Sequence, residues 1–406
     1  MTGEAKNAEI PGARGQLAAL SAAMILGMTP WFSATVAAPG MIREWGAGRA
    51  TSAWLTIAVQ LGFVLGTFVS AALLLSDRWS ARRLAAGSAF VAALGTMLLA
   101  APSVGLSEAM LLRVGTGVAL AGVYPPGIKI AAGWWRDRRG TAIGILVGAL
   151  TVGSAAPLLL RLTTATSSWR GVVVAAGVAA FFSAALFGFV VREGPFQAAS
   201  APFDARALAM VLRDRGVMLA TAGYLGHMWE LYAMWSSIGG FWTFVALGKG
   251  ISPRWAALLA FLTIAVGTVG CVVAGVVADR VGRPQVTIVA MMISASCALA
   301  IGLLLSAPIV VVALVALVWG ASIVADSAQF SASVTELAPS RYVGTAITLQ
   351  TCAGFLLTIV TIRLVPLWVE WWGWERAYMP LAIGPLLGVA AMWRLSRDAR
   401  ARVVRA

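Results

Sequence analysis

The sequence predicts an all-α integral membrane protein of twelve transmembrane helices, arranged as two six-helix bundles related by a pseudo-two-fold axis. Two observations carry this prediction. The chain is strongly apolar, since 60% of its 406 residues are hydrophobic and only 11% are charged, whereas charged residues make up about a quarter of an ordinary soluble domain. In addition, short loop motifs recur in the two halves of the chain at a nearly constant distance.

Apolar runs long enough to cross a bilayer occur along almost the whole chain, separated by short clusters of Arg, Asp, Gly, Pro and Ser. A span requires about 20 mainly apolar residues. Helices are expected because a helix satisfies its own backbone hydrogen bonds in lipid, and the alternating pattern of barrel strands is absent. The predicted spans cover residues 17–39, 52–75, 84–102, 106–130, 140–161, 171–191, 216–246, 254–277, 285–306, 309–333, 341–364 and 378–395.

The distribution of positive charge predicts the orientation of these spans. The net charge is +14, and Lys and Arg are concentrated in alternate connections and at both chain ends, as the positive-inside rule requires of cytoplasmic segments. This pattern predicts a multi-pass protein of the plasma membrane, the inner membrane of a bacterium, with both termini in the cytoplasm. The basic tail at 396–406 is expected to contact anionic lipid rather than nucleic acid.

Several other classes of protein are not favoured. Residues 1–16 lack the features of a signal peptide, so the first span is expected to remain in the mature chain. Cys271, Cys297 and Cys352 all lie within predicted spans, and their odd number and spacing fit neither a disulfide framework nor a zinc site. The sequence contains no P-loop ending and no nucleophile flanked by a base. It therefore predicts neither an ATP-driven pump nor an enzyme, and no metal or cofactor.

The recurring loop motifs predict an internal duplication. The stretch "DRWSARR" begins at Asp77 and "DRVGRP" begins 202 residues later at Asp279, while "GTAIGI" and "GTAITL" begin 204 residues apart. Ordered matches at one offset indicate a parallel repeat. The predicted parts are a cytoplasmic N-terminal segment, a six-helix bundle, a central cytoplasmic loop, a second bundle and a cytoplasmic tail, at 1–16, 17–191, 192–215, 216–395 and 396–406.

Two of these loops resemble a motif of the major facilitator superfamily, which usually reads Gly, three residues, Asp-Arg, one residue, Gly-Arg. The second copy, "GVVADRVGR", fits and supplies Asp279, Arg280, Gly282 and Arg283. The first copy, "LLLSDRWSARR", lacks the glycines but retains Asp77 and Arg78. Its later arginines, of which Arg82 is counted with the motif, are displaced by one residue. The resemblance covers nearly all of the chain. It implies a transporter whose two halves rock around a central cavity.

The loops have two interpretations. Arginines bind lipid phosphate and hold a loop inside, and an acid can meet the positive N-terminal end of a neighbouring helix. One interpretation is topology and packing alone. The other is a gate latch that breaks when the two halves move.

The stretch "GYLGHMWELYAMW" carries the first candidate coupling residues. His227, the only histidine of the chain, lies about 11 residues into the seventh span, which places it close to mid-membrane. Glu230 follows at i+3 on the same helix face. Such a pair can hold a proton and release it when water or substrate arrives, and ionisable groups at this depth are functional by default. The alternative is a structural hydrogen-bonded pair that fixes helix packing.

Further candidates come from four other spans and the remaining part of the seventh. In the tenth span, Asp326 and Gln329 belong to one polar stripe that is expected to face an aqueous cavity. In the fourth span, Arg113 can bind an anionic group, and prolines beside Tyr124 predict a kink. The expected lining of the substrate cavity is completed by Thr29, Trp31, Ser33, Tyr224 and Gln350.

These observations favour a secondary active transporter of a small solute, proton-coupled by Glu230, His227 and Asp326, and acting as a monomer by alternating access. Because acids line the expected cavity, export of a cationic or amphiphilic compound is slightly favoured. The chain pattern also resembles the nitrate/nitrite and cyanate branch, which would imply uptake of a small anion, although the arginines usual in spans 2 and 8 of nitrate carriers are absent. A receptor or scaffold that moves nothing is a third interpretation.

Overall fold

The computed structural model describes residues 11–48, 50–135, 139–163, 168–196, 204 and 208–398. Within these ranges every regular element is helical. The helices of the first half are α1 (Ala13–Met28), α2 (Pro30–Trp45), α3 (Thr51–Ala72), α4 (Leu75–Arg78), α5 (Ala81–Leu98), α6 (Leu106–Ala121), α7 (Tyr124–Trp134), α8 (Arg139–Thr163) and α9 (Trp169–Ala185). A π-helical turn, Leu186–Val190, continues α9.

The second half of the chain is also helical in its described residues. Its helices are α10 (Leu208–Arg213), α11 (Arg215–Lys249), α12 (Pro253–Ala265), α13 (Gly267–Val281), α14 (Arg283–Ala300), α15 (Ile309–Ala325), α16 (Ser327–Leu337), α17 (Val343–Arg376) and α18 (Ile383–Ser396). Single turns of 3₁₀ helix precede α17 and α18, at Ser340–Tyr342 and Met379–Ala382.

Four of the long helical segments that could each cross a membrane, called passages below, are broken near their middle. The breaks lie between α1 and α2, α6 and α7, α12 and α13, and α15 and α16. The kink predicted beside Tyr124 is confirmed, because α6 ends at Ala121 and α7 begins at Tyr124 with its prolines in the first turn. Pro30 causes the first break, since it has no N–H to donate to the preceding turn. Asp326 occupies the fourth break.

Ten helical segments in the described part of the chain are long and apolar enough to cross a membrane. Helices α5 and α11, which correspond to the third and seventh predicted spans, are not among these ten, although they contain 18 and 35 residues. Both are more polar: α5 begins with two arginines, and α11 contains the histidine and the glutamate discussed above. The eleventh predicted span, 341–364, is too short, because α17 continues to Arg376 and is kinked only at Gly373.

Close helix contacts depend on small residues. Helices α3 and α6 meet at Gly62 and Gly117, and a Cβ atom added to Gly117 would lie 2.1 Å from the carbonyl oxygen of Val59. Helix α8 of the first half packs against α12 and α13 of the second, and α3 packs against α17. In the α8–α13 contact, the hydroxyl of Thr268 donates to the carbonyl of Gly148 at 2.9 Å. The boundaries at 17–191 and 216–395 stay a prediction.

Candidate functional site

His227 pairs with Asp326 and not with Glu230 as the spacing predicted. Its Nδ1 atom lies 2.8 Å from Oδ1 of Asp326, and both side chains are almost completely buried. Helix α11 carries His227, and Asp326 ends α15. Because Asp326 lies at the break before α16, the pair joins α11 to the hinge point of the broken α15–α16 passage.

Glu230 lies in a second buried polar group of the same helix. Its Oε2 atom accepts a hydrogen bond from the hydroxyl of Ser294 at 2.7 Å, and its Oε1 atom accepts one from the indole Nε1–H of Trp319, also at 2.7 Å. Ser294 belongs to α14 and Trp319 to α15. The carboxyl group is therefore held by two donors and is 1% exposed as a residue.

The orientation of Glu230 differs from the expectation that it faces a cavity between the two halves. Gly226, four residues earlier on the same face of α11, packs against the carbonyl of Gly384 in α18. The contacts of Glu230 described above are likewise with the second half of the chain. Glu230 therefore points into the second half, because an i+3 spacing does not specify which neighbouring helix a side chain meets.

Arg113 is fully buried and contacts backbone rather than an acid. Its guanidinium donates to the carbonyl oxygens of Leu55 at 3.3 Å, Pro30 at 2.9 Å and Trp31. These three carbonyls come from α2 and α3, so Arg113 on α6 ties three helices together. These contacts use three of the five N–H groups of the guanidinium, and the role of Arg113 in binding an anionic group stays a prediction.

Thr29 and Ser33 satisfy the backbone around the same break. The hydroxyl of Thr29 donates to the carbonyl of Ile25 at 3.1 Å, and that of Ser33 donates to the carbonyl of Pro30 at 2.9 Å. Both are buried. Both hydroxyls therefore already have backbone acceptors. Tyr124 is partly buried beside the break between α6 and α7.

Trp31 lies in a set of six aromatic rings from both halves of the chain, which we call the aromatic cluster. Its ring centroid lies 4.9 Å from that of Phe63, 5.7 Å from that of Tyr232 and 5.8 Å from that of Phe355. Phe32 and Trp235 extend the set, with their centroids 6.2 Å apart. The members are therefore Trp31, Phe32, Phe63, Tyr232, Trp235 and Phe355.

The other predicted cavity residues lie on the second-half side. The ring of Tyr224 is 6.1 Å from that of His227, beside the ion pair. Gln329 is buried and accepts a hydrogen bond from Arg283 at 2.8 Å. Gln350 is buried, and its Oε1 atom lies 3.5 Å from the hydroxyl of Ser331, while its Nε2 atom has no partner among the described residues.

The second copy of the loop motif is organised by Arg283 and Gly282. Arg283 also binds Glu336 with two nitrogens, each at 2.7 Å, so it fastens the start of α14 to α16. Gly282 has φ 94°, which favours glycine at the turn between α13 and α14. The carboxylate of Asp279 lies at the start of α8, where a Cβ atom added to Gly140 would be 3.2 Å from Oδ1. Arg280 is exposed.

The first copy of the motif is described less completely. The side chain of Asp77 lies outside the described residues. Arg78 is exposed, whereas Arg82 donates to the carbonyl of Gly188 at 3.2 Å and its backbone N–H donates to Glu193 at 3.1 Å. These contacts hold α5 against the end of the sixth passage.

Several residues of the site were not predicted. Ser294 and Trp319, which bind Glu230, lie 64 and 89 residues away from it in the sequence. The buried Gln60 was also missed, although an amide in the middle of an apolar span was a usable signal. Among the residues that the structure describes, no group of three or more His, Cys, Asp or Glu side chains could hold a metal ion.

Comparison with known proteins agrees with this architecture. The chain is 30% identical over 170 residues to the MFS-type transporter pytF of Aspergillus terreus (strain NIH 2624 / FGSC A1156), a match that covers 41% of this chain and 55% of that protein. The chain thus spans just over half the length of this curated relative.

Solved structures show the same fold over nearly the full length. A bacterial homolog of the human lysosomal transporter Spinster, in an inward-facing and occupied conformation, has a TM-score of 0.70 and 15% identity, covering 96% of this chain and 98% of that one. The proton:xylose symporter XylE bound to 6-bromo-6-deoxy-D-glucose has a TM-score of 0.70 and 14% identity, covering 94% and 96%. The family model of the Major Facilitator Superfamily matches residues 20–362. The chain therefore belongs to the major facilitator superfamily, whose members are membrane transporters and not enzymes.

Proposed function

We propose that the protein is a secondary active transporter of a small solute, driven by protons that bind and leave the buried groups of α11 and of the break between α15 and α16. The observation that carries this proposal is the placement of two carboxyl groups, Glu230 and Asp326, inside one apolar bundle, with the single histidine 2.8 Å from one of them. Ionisable side chains at such depth are costly and are usually retained for function. Small solutes and protons are therefore the proposed partners.

The contacts of the two acids suggest how a proton would change the structure. The pair of His227 and Asp326 connects α11 to the break between α15 and α16, and Glu230 connects α11 to α14 and α15. A charged carboxylate accepts hydrogen bonds more strongly than a neutral one. Gaining or losing a proton would therefore change how firmly α11 is held to three neighbouring helices, and this supports a role in alternating access.

The remaining parts of the proposal follow from the sequence. We place the protein in the inner membrane of a bacterium as a monomer, with both termini in the cytoplasm. The direction of transport is left to experiment. The slight preference for export of a cationic compound has less support from the contacts, because Glu230 points into the second half rather than toward the first.

The test uses purified protein in liposomes that contain a pH-sensitive dye. A panel of solutes is added with and without an imposed pH gradient, and both solute flux and internal pH are followed. We expect at least one solute to move with protons in the native protein. In Glu230→Gln and Asp326→Asn, flux should persist in part while its dependence on the gradient is lost.

Glu370→Gln serves as the matched control, since Glu370 is an exposed acid of α17. It should leave the coupling unchanged. Gradient-independent flux in the native protein, or unchanged proton coupling in both Glu230→Gln and Asp326→Asn, would contradict the proposal.

A further inference from the structure

We propose that the aromatic cluster is the binding site for the transported solute, and that this solute is a neutral, planar aromatic compound whose edge carries hydrogen-bond acceptors such as carbonyl oxygens or ring nitrogens. The inference rests on the proposed transport function, because it names the substrate class. Its evidence is separate from the buried groups Glu230, His227 and Asp326.

The cluster lies where the two halves of the chain meet. Trp31 and Phe63 come from the first half, and Tyr232 and Phe355 come from the second. Their centroids lie 4.9 to 5.8 Å apart in these pairs, at tilted or edge-on angles. Aromatic rings at such distances attract each other by offset or edge-to-face contacts, and another flat ring would be attracted in the same way.

Polar groups without partners surround these rings. The indole Nε1–H groups of Trp31 and Trp235 have no hydrogen-bond partner among the described residues, and neither does either amide atom of Gln60. All three side chains are at most 3% exposed. Leaving a buried donor unsatisfied destabilises a protein, because the group has lost its hydrogen bond to water. A ligand with hydrogen-bond acceptors would pair these donors, and this pairing would favour its binding.

The position of Gln60 follows from the helix contacts. The hydroxyls of Thr35 on α2 and Thr56 on α3 lie 2.7 Å apart. The two helices run in opposite directions across the membrane, so one helical turn deeper places Trp31 on α2 beside Gln60 on α3. Gln60 also precedes Phe63 by three residues on α3, so it lies on the helix face from which Phe63 meets the ring of Trp31 at 4.9 Å.

Charge around the cluster favours the electronegative edge of a ligand over a cation. Arg113 contacts the backbone carbonyl of Trp31 and is buried directly behind it. Its positive charge would repel a cation and attract the negative end of a carbonyl or ring-nitrogen dipole. Glu230 lies only two residues from Tyr232, but its contacts with Ser294 and Trp319 hold it on another side of α11.

The same features argue against two other substrate classes. A sugar would need many paired donors and acceptors, whereas six of the side chains at this site are aromatic rings. A small inorganic anion would need a free cationic group, and the guanidinium of Arg113 already donates to the carbonyls of Leu55, Pro30 and Trp31. A planar aromatic ligand with acceptor atoms would stack on the rings of the cluster and accept hydrogen bonds from the unpaired donors.

Three uncharged probes of similar size test the inference by binding to the purified full chain in detergent. Coumarin is planar and carries a lactone acceptor, octahydrocoumarin keeps the lactone but is not aromatic, and naphthalene is planar without an acceptor. We expect coumarin to bind at least about 10-fold more tightly than octahydrocoumarin, because ring contacts contribute roughly 0.5–1.5 kcal/mol each. Equal binding of coumarin and octahydrocoumarin would overturn the proposal.

Variants then assign the binding to the named donors. Trp31→Phe retains a ring but removes the N–H group, and Gln60→Leu retains size but removes the amide. Each should weaken coumarin about 5-fold more than it weakens naphthalene, since one hydrogen bond contributes around 1 kcal/mol, and retained naphthalene binding shows that the variant is folded. The control is Trp79→Phe, because Trp79 is 62% exposed, lies directly after α4 and is not a member of the cluster. Unchanged coumarin binding in both donor variants would contradict the site.

The coumarin-binding test and the liposome test of transport can fail independently of each other. Binding of coumarin in detergent requires no gradient and no proton exchange at Glu230 or Asp326. If coumarin binds as expected but the liposomes show no proton-coupled flux of any solute, the binding site stands and the transport mechanism is wrong. If proton-coupled flux occurs but only non-aromatic solutes move, the substrate class proposed for the aromatic cluster is wrong.

Discussion

The imidazole Nδ1 atom of His227 lies 2.8 Å from the carboxylate of Asp326, and the two side chains are 1% and 2% exposed. The contact joins a continuous helix, α11, to the point at which another passage changes from α15 to α16. Because water cannot reach either group, each depends on the other for its electrostatic compensation. The stability of this region should therefore depend on the pair as a unit.

A double-mutant cycle measures this dependence. Removing one member, in His227→Leu or Asp326→Leu, leaves the other buried and unpaired, which typically costs about 3–5 kcal/mol. The double variant leaves no unpaired charge, so it should be more stable than the sum of the single changes predicts. The measurement is the apparent melting temperature of each variant in detergent. Strictly additive losses would show that the two groups do not interact.

Arg113 should be required for the packing of three helices. Its guanidinium donates to carbonyls of two other helices, α2 and α3. Lysine has one compact ammonium group on a flexible stem and cannot reproduce this planar set of donors. Arg113→Lys should therefore lower the melting temperature and the yield of folded protein.

Arg254→Lys provides the comparison, since Arg254 is exposed at the start of α12. That change should have little effect, because exposed charges contribute at most about 1 kcal/mol. A melting temperature for Arg113→Lys equal to that of Arg254→Lys would mean that the three carbonyl contacts do not stabilise the fold.

The sequence was sufficient for most of the long helices, but not for the partners of the ionisable residues. Apolar run length and proline placement follow from local rules, so the long passages and the kink at Tyr124 were predictable. His227 and Glu230 are three residues apart, yet one meets Asp326 and the other meets Trp319. A difference of about 60° around the helix decides which neighbour each side chain contacts, and that rotation is fixed only by tertiary packing.

The aromatic cluster was unpredictable for a similar reason. Trp31 was identified as a cavity residue, but Phe63 and Phe355, which pack against it, look like ordinary apolar residues of their helices. An isolated Phe in an apolar run carries no signal that distinguishes a lipid-facing position from an interface between the halves. Only the packing of α3 against α17 brings these rings together.

Two glycines of α6 should respond differently to the same substitution. A Cβ atom at Gly117 would lie 2.1 Å from the carbonyl oxygen of Val59, whereas a Cβ atom at Gly115 would meet nothing within 4 Å. Gly117→Ala must push α3 and α6 apart and should lower the melting temperature clearly, because overpacking typically costs about 1–3 kcal/mol. Gly115→Ala should be neutral or slightly stabilising, since alanine favours the helix by up to about 1 kcal/mol. Equal effects of the two changes would argue against direct contact at Gly117.

Asp279 should control how tightly the two halves meet at the end of the bundle that carries the loop motifs. Its carboxylate lies beside Gly140 in the first turn of α8, and negative charge at a helix N-terminus contributes about 0.3–1 kcal/mol. Asp279→Asn removes that charge and should shift the population about two- to five-fold toward the state in which α8 and α13 separate.

Alkylation of the buried Cys271 thiol can measure the separation of α8 and α13. It lies on α13 about two turns from Asp279 and is 3% exposed, and the carbonyl oxygen of Cys271 would lie 3.0 Å from a Cβ atom at Gly144 of α8. The measurement uses a protein in which Cys297 and Cys352 are replaced by alanine. In this background, Asp279→Asn should raise the rate at which a water-soluble maleimide alkylates Cys271 two- to five-fold, because the open population rises by that factor. Arg280→Gln changes the exposed neighbouring charge and should leave the rate near its native value. If Asp279→Asn gives no faster alkylation than Arg280→Gln, the carboxylate does not hold α8 and α13 together, and the loop serves topology and packing alone.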